Sequence, residues 1–324
     1  MQLQKKTYQR RTMRDSFVRY WPLYFLVLPA MIYVFFNNYV PLYGIVIAFK
    51  DYRPSLGILG SKWVGLKHFV RFITFPNFKL IFMNTLRIGV YSLCTFPCSI
   101  VLALMLNEVK RSAFKKTVQM ITYMPYFLST VVVCSMIRLF LDAKTGVVNA
   151  MIVALGGKSC DFLTVANYFE DIYVWTGVWQ GIGWGAIIYI SALSGVPSEL
   201  IEAARVDGAG RFRIIWHVNI PWILPTIIIM LILSCGNVLS VGFEKVFLLQ
   251  NPLNLSRSQV ISTYVYEVGI KSAQYSYSAA VGLFNTVINV LMIGIVNWIA
   301  RRASGTAIVK NCRICEQPSI SAAS

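Results

Sequence analysis

The stretch ELIEAARVDGAGRFRIIWHVNIPWILP, residues 199–225, is the longest polar-rich interruption in the apolar second half of the chain. A Pro-Ser pair just before it offers a rigid entry and an N-cap hydroxyl for a short helix. Asp207-Gly208 ends that helix, because glycine readily takes the left-handed backbone found at helix ends. A second helix follows, and Pro221 and Pro225 bend the chain back into apolar sequence. The pattern predicts a compact helix–break–helix knob suited to docking into a groove on a soluble partner.

The composition of the 324-residue chain indicates a membrane protein. Hydrophobic residues make up 56% and charged residues only 13%, whereas soluble domains carry about 25% charged residues. Six apolar runs have about the length, ~20 residues, that a helix needs to cross a bilayer. The sequence therefore predicts an all-α integral membrane protein with about six transmembrane helices. The predicted spans are 20–37, 81–106, 118–140, 172–194, 222–242 and 277–299.

The formal net charge of +17 is divided among segments that flank the apolar runs. Basic residues cluster in a tail at 1–19, in the short loop 107–117 and in a tail at 301–324. The positive-inside rule places all three in the cytoplasm, with a permease domain at 20–300 between the tails. We expect a multi-pass protein of a bacterial cytoplasmic membrane with both termini inside. Nucleic-acid binding is not expected, because the basic residues form no single face.

The polar stretch also matches a family pattern. Residues 202–204 read Glu-Ala-Ala, Gly208 follows after three residues, and 218–221 read Val-Asn-Ile-Pro after nine more. This resembles the EAA loop of binding-protein-dependent ABC importers, whose pattern ends in Ile-x-Leu-Pro. The departures are Val218 for Ile and Ile220 for Leu, and both keep an apolar residue. Taken alone, a Glu-Ala-Ala helix followed by glycine is also consistent with an ordinary cytoplasmic connector.

Two longer strings narrow the resemblance. EAARVDGAGRFRIIWHVNIP, residues 202–221, resembles the sugar-uptake branch, which is related to the maltose permeases. YWPLYFLVLPAMIYVFFNNYVPLYGIVIAFKDY, residues 20–52, resembles the subset that imports complex oligo- and polysaccharides. The resemblance implies the type I ABC importer fold with a cytoplasmic coupling-helix loop at 197–221.

The resemblance also implies partners. In this family a second homologous permease completes the membrane pair, usually as a heterodimer, two ATP-binding subunits dock beneath it, and a periplasmic or extracellular binding protein delivers the solute. Carried over by position, Glu202 would pair with a basic residue of the ATPase and Gly208 would form the bend between the two short helices. The implied ATPase-coupling residues are Glu202, Ala203, Ala204, Asp207, Gly208, Ala209, Phe212 and Pro221.

No G-x-x-x-x-G-K-[ST] phosphate loop occurs in the chain, so ATP and Mg²⁺ are expected on partner subunits and no cofactor or metal in this one. An ATP-independent secondary transporter or channel stays the main alternative. It would transport without ATP and usually shows an internal repeat of spans, and no clear repeat is visible. A membrane-embedded enzyme would need a cluster of His, Asp or Glu in the spans, and His68 and His217 lie outside them. Cys312 and Cys315 form a lone CxxC, which is a poor metal site.

A path for a sugar needs hydrogen-bonding and aromatic groups that face a central cavity. Polar side chains within spans usually face protein or water, not lipid, although Tyr and Trp also anchor spans at the interface. The candidate path residues are Tyr123, Tyr126, Trp179, Gln180, Asn237, Asn285 and Asn289.

The predicted external segments carry more basic than acidic residues, from Arg53 to Lys271. A positive entrance favours an anionic solute or an acidic binding protein. An acidic polysaccharide fragment, such as an alginate-type uronate oligomer, is therefore the substrate hypothesis. Membrane lipid head groups are the alternative partner for the same charges.

Overall fold

In a computed structural model, which describes residues 13–304, the chain folds almost entirely into helices. Four helical segments are long and apolar enough to cross a membrane, and two bent helix pairs raise the number to up to six. Most of both predicted tails, with Cys312 and Cys315, lies outside the described residues. The α-helices are α1 (Met13–Val34), α2 (Gly57–Gly60), α3 (Lys67–Ile73), α4 (Phe78–Cys94), α5 (Pro97–Glu108), α6 (Ser112–Tyr123), α7 (Thr130–Phe140), α8 (Val147–Ala154), α9 (Phe169–Ser194), α10 (Ser198–Val206), α11 (Arg211–Ile214), α12 (Ile220–Gly236), α13 (Phe243–Leu249), α14 (Leu255–Ser258), α15 (Ile261–Tyr266) and α16 (Tyr275–Ser304).

The first span is longer than the predicted 20–37. Tyr20–Phe49 forms one helical segment of 30 residues, and none of its most apolar window is buried. α1 continues through a wide π turn at Phe35–Tyr39 into a tighter 3₁₀ stretch at Val40–Phe49. The predicted end of the span at residue 37 is therefore wrong, because residues 38–49 are also mostly apolar and continue the helical path.

A two-residue hairpin follows the first span and is the strand pairing found within residues 13–304 of this mainly helical fold. β1 (Lys50–Asp51) pairs antiparallel with β2 (Lys62–Trp63), with Lys50 opposite Trp63. α3 then buries Phe72 in an aromatic cluster with α15 and α16. The segment that contains the hairpin is thereby fixed to the N-terminal part of the last span.

The second span matches its prediction and the third does not. α4 and α5 together form a crossing of 31 residues, Phe78–Glu108. The predicted single helix 118–140 is broken, with α6 and α7 meeting at 101°. Pro125 lies in a 3₁₀ turn at the break, where it lacks an N–H. Ser129 then caps α7 by accepting a hydrogen bond from the Val132 N–H at 3.4 Å.

α9 is the central helix, and its 26 residues give it a length of about 39 Å. It packs against α4, α5, α6 and α12. A Cβ at Gly183 would lie 2.2 Å from the Thr122 carbonyl oxygen, and one at Gly185 would lie 2.6 Å from Ser99 Oγ. These glycines let α9 approach its neighbours closely, whereas nothing lies within 4 Å of a Cβ at Gly181.

The fifth span ends earlier than predicted. α12 stops at Gly236, and residues 237–242 leave the helical path although 222–242 reads as one apolar run. α16 holds this break in place. Asn289 Oδ1 accepts the Leu239 N–H at 3.3 Å and its Nδ2 donates to Ser240 Oγ at 2.9 Å. The sixth span, α16, begins at Tyr275, close to the predicted start at 277.

Candidate coupling loop and translocation cavity

The coupling loop has the predicted helix–break–helix form, and a glycine closes its first helix. Gly208 adopts a φ of +75°, in the left-handed region. The N–H of Ala209 donates to the Ala204 carbonyl at 2.9 Å, and the N–H of Gly208 donates to the Arg205 carbonyl at 3.0 Å. This pair of bonds is the Schellman motif, which satisfies the last carbonyls of α10. The sharp bend therefore rests on local chemistry that the sequence already shows.

The loop presents apolar side chains that this chain does not cover. Phe212 is 89% exposed and Val206 is 88% exposed. Val206 was not among the predicted coupling residues, although an apolar residue just before the Asp-Gly stop was a usable signal. Single exposed apolar residues are ordinary on protein surfaces, but two large ones flanking one tight bend indicate a contact surface.

The other predicted coupling residues divide between the exposed side of the loop and a groove. Glu202, Ala203 and Pro221 are exposed, and Glu202 makes no hydrogen bond or ion pair within the described residues. A groove of about 380 Å³ runs between α10 and the start of the next helix. Its lining residues are Ala204, Asp207, Ala209, Arg213, His217 and Val218.

A larger cavity of about 580 Å³ lies among α4, α5, α9, α12 and α13. Its walls are mostly apolar, with a few polar side chains, which is the usual composition of a site for a small molecule. Gly181 leaves room on the α9 wall. The main polar lining residues are Ser92, Ser99, Gln180, Asn237, Ser240 and Lys245.

Two of the seven predicted path residues, Gln180 and Asn237, line this cavity. Gln180 also donates from Nε2 to the Leu128 carbonyl at 3.1 Å, at the break between α6 and α7. Among the others, Tyr126 stacks on Trp184 with ring centroids 4.5 Å apart. Tyr123, Trp179, Asn285 and Asn289 also lie off the lining of this cavity.

The two asparagines of α16 have a visible structural task. Asn285 Nδ2 approaches the Leu239 carbonyl at 3.4 Å, beside the bonds from Asn289. The residues they bind, 239–240, adjoin Asn237 in the cavity wall. The structure thus places these asparagines behind the wall, where they shape the cavity.

Replacing Asn289 by Ala is expected to lower the free energy of unfolding by roughly 1–3 kcal/mol, because two hydrogen bonds to the break are lost. The measurement is thermal unfolding of the purified protein in detergent. Asn37→Ala is the matched control, since Asn37 is exposed and bonds only its own helix at the Tyr33 carbonyl. Equal unfolding temperatures for the two variants would contradict the assigned role.

Lys245, one of the basic residues of the predicted external segments, lies in the cavity wall. Its side chain is 8% exposed. Nζ donates to the Tyr173 carbonyl at 2.8 Å and lies 4.9 Å from the centre of the Tyr173 ring. Its position within the mostly apolar string FEKVFLL, residues 243–249, was the feature of the sequence that could have indicated burial.

The described residues contain no group of three or more His, Cys, Asp or Glu side chains placed to hold a metal ion. His68 is buried under the hairpin, with Nε2 3.2 Å from the Lys50 carbonyl oxygen. Burial lowers its pKa. His217 lies at the coupling loop, where its Nδ1 is 3.0 Å from the Arg213 carbonyl oxygen. The two histidines therefore occupy different parts of the fold, one at the hairpin and one at the coupling loop.

Residues 96–305 match the model of a protein family described as binding-protein-dependent transport system inner membrane components. The matched region includes the coupling loop and most of the cavity wall. The chain belongs to this family. The predicted role as a membrane permease that works with a binding protein is confirmed.

Two curated relatives come from Bacillus subtilis (strain 168). The permease is 43% identical over 298 residues to the polygalacturonan/rhamnogalacturonan transport system permease protein YteP, which covers 92% of this chain and 93% of YteP. It is 42% identical to protein LplB over 281 residues, which covers 86% of this chain and 88% of LplB.

Solved structures confirm the type I permease fold. One chain of a bacterial ABC transporter involved in the import of the acidic polysaccharide alginate superposes with a TM-score of 0.83 and 36% identity, covering 90% of this chain and 99% of that one. A second structure is a bacterial alginate ABC transporter in complex with alginate pentasaccharide-bound periplasmic protein. One of its chains superposes with a TM-score of 0.84 and 35% identity, covering 92% of this chain and 100% of that one.

Proposed function

We propose that the permease is one membrane-spanning subunit of an ATP-driven ABC importer that moves an acidic oligosaccharide from an external binding protein into the cytoplasm. The observation that carries the proposal is the agreement between sequence and structural relatives. YteP is named for polygalacturonan and rhamnogalacturonan, which contain uronic acids, and the structural neighbours import alginate. Each of these similarities extends over 90% or more of this chain.

The charge of the external face supports an acidic cargo. In the three segments assigned to that face, 50–77, 141–168 and 243–274, ten Lys and Arg residues stand against five Asp and Glu residues. Such an excess raises the local concentration of anions at an entrance. The assignment follows from the loop at 107–117 and the coupling loop, which carry basic residues on the opposite, cytoplasmic side.

Coupling to ATP hydrolysis is assigned to the loop at 197–221. Closure of two ATPase subunits must move the spans through a close contact with this loop. Within the loop, α10 connects to α9 through a 75° bend. Phe212 and Val206 supply exposed apolar surface, and the free carboxylate of Glu202 supplies a partner for a basic ATPase residue. ATP and Mg²⁺ belong to those separate subunits, since the chain has no phosphate-binding loop.

A second homologous permease accounts for the exposure of the first span. Most of the apolar side chains from Trp21 to Tyr43 are exposed, whereas the end of this segment packs against α16 and buries Ala48. Within a bilayer, lipid and another membrane subunit are the surfaces that such a helix contacts. We assign one face of this helix to lipid and the other to the second permease. Both termini are assigned to the cytoplasm.

The substrate class is tested by uptake into cells that carry this permease and its partner subunits. The two substrates are a labelled oligogalacturonate and a maltodextrin of the same length. We expect concentrative uptake of the acidic oligomer and little uptake of the neutral one. A clear preference for maltodextrin would contradict the assignment of an acidic cargo.

A further inference from the structure

Lys245 is the cation that lines the cavity. It lies on α13, a seven-residue helix that follows the fifth span, and its side chain is almost fully buried. Within residues 20–299 it has no carboxylate within ion-pair distance, and the ion pair found there joins Arg257 to Glu170. A buried ammonium without a counter-ion is costly, because burial removes its hydration.

The surroundings of the ammonium leave it open to the cavity. One donor goes to the Tyr173 carbonyl, and the Tyr173 ring lies nearby. The ammonium has three donors, so two remain. Gly177 is the next residue on that face of α9, and its missing side chain leaves space: a Cβ there would lie 3.5 Å from Nζ. Lys245 is itself among the residues that line the cavity, so a solute group inside the cavity can approach the charge.

The cavity continues from this charge along the α9 wall. Tyr173 and Gly185 both line it and are 12 positions apart, which corresponds to about 18 Å of helix. Gln180 lies in this stretch, and Asn237 lines the cavity from the end of α12. Both offer amide oxygens to sugar hydroxyls, while their amide nitrogens bind the Leu128 and Leu233 carbonyls. The wall thus combines one ammonium at the α13 end with neutral hydrogen-bonding groups beyond it.

We propose that Lys245 receives a carboxylate of the solute in the cavity and selects acidic over neutral saccharides. This inference rests on the proposed function and assigns its specificity to one side chain. The ion pair forms only when the solute is present, so the energy of burying the lysine is offset in the loaded state. A neutral saccharide offers no such compensation.

The protonation state of Lys245 supports this assignment. Burial lowers its pKa to about 8, so the ammonium predominates at neutral pH and is lost as the pH rises above that value. The two carboxylates at the start of α9 have partners other than Lys245. Glu170 forms an ion pair with Arg257, and Asp171 accepts a hydrogen bond from the Tyr91 hydroxyl. Other titratable or charged side chains on the elements around it are Cys134, Arg138, Tyr173, Tyr189, Glu244, Tyr264 and Tyr266.

The test compares uptake of an oligogalacturonate with uptake of the same oligomer after its carboxyl groups have been reduced to alcohols. Lys245→Gln is expected to lower uptake of the acidic oligomer by roughly tenfold or more. Uptake of the reduced oligomer is expected to stay within about twofold of its wild-type value. Lys245→Arg is expected to keep the preference, because it keeps the charge. Lys271→Gln is the matched control, since Lys271 is an exposed lysine of the same external segment.

Unchanged acidic uptake in Lys245→Gln, or equal loss for both oligomers, would overturn the inference while leaving the proposed function intact. Failure of the wild-type protein to import either oligomer would overturn the proposed function itself. Should Lys245→Gln fail to fold, the wild-type pH profile decides. The preference for the acidic oligomer is expected to fall as pH rises through about 8, and a flat preference would contradict the role of Lys245.

Discussion

Replacing Phe212 by Asp is expected to abolish co-purification of the ATPase subunit with the permease. Phe212 is 89% exposed, so its ring contributes little to the fold of this chain. Truncating an aromatic anchor at a protein interface typically costs about 2–4 kcal/mol of binding free energy. This cost corresponds to roughly 30-fold to several hundred-fold weaker binding. A carboxylate placed in the apolar contact adds a desolvation cost.

The matched control for this variant is Leu155→Asp. Leu155 is 87% exposed but lies after α8, in the segment assigned to the external face. The same change of an exposed apolar residue to Asp is therefore made on the side away from the ATPase. Both variants are purified in detergent, and ATPase recovery is measured per folded permease. Normal recovery with Phe212→Asp, or equal loss with Leu155→Asp, would contradict the coupling role of this loop.

Replacing Gly89 by Ala is expected to destabilise the permease and to reduce uptake severely. An added Cβ would lie 1.8 Å from the Val238 carbonyl oxygen and 2.8 Å from its carbonyl carbon, so backbone must move. Overpacking of this kind typically costs about 1–3 kcal/mol and sometimes more. Gly89 and Val238 both line the cavity, so the displacement reaches the transport path directly.

Gly282→Ala is the control for the glycine experiment. Gly282 lies in α16, and a Cβ there would meet nothing within 4 Å. In a helix, Ala is favoured over Gly by up to about 1 kcal/mol, so this variant is expected to be neutral or slightly stabilised. Thermal unfolding in detergent separates the two, with a lower midpoint only for Gly89→Ala. Equal midpoints would show that α4 and residue 238 are not in close contact.

Sequence patterns were sufficient for the elements whose cause is local. The apolar runs that became α4–α5, α9 and α16 are long enough to identify by composition alone. The bend of the coupling loop was also predictable, since Gly208 after Asp207 provides the left-handed residue that ends α10. The coupling roles assigned to Glu202 and the neighbouring residues stay predictions.

The breaks within the spans were not predictable, because their cause is tertiary. The run 222–242 stays apolar past Gly236, yet Asn289 of a distant helix binds the backbone at 239–240 and stabilises the irregular path. At the break between α6 and α7, Gln180 binds the Leu128 carbonyl. A polar side chain in a span thus indicated an interior position correctly, but not whether it faces solute or backbone.

Lys245 was overlooked for a related reason. A charge in a short segment between spans reads as solvent-exposed, and only the packing of α13 against α7, α9 and α15 shows that it is buried. Conversely, Asn285 and Asn289 are four positions apart and share one face of α16, and that face packs against the residues that follow α12. Helical periodicity identifies which residues lie together, whereas the partner of the face depends on the whole fold.

ATP-dependent uptake into proteoliposomes distinguishes an ABC importer subunit from a self-sufficient transporter. The purified complex containing this permease is reconstituted, and accumulation of labelled oligogalacturonate is followed with binding protein outside and ATP inside. We expect accumulation only when the ATPase subunits, ATP and the binding protein are all present. Equal uptake by the permease alone, without ATP, would contradict the importer assignment and indicate a secondary transporter or channel.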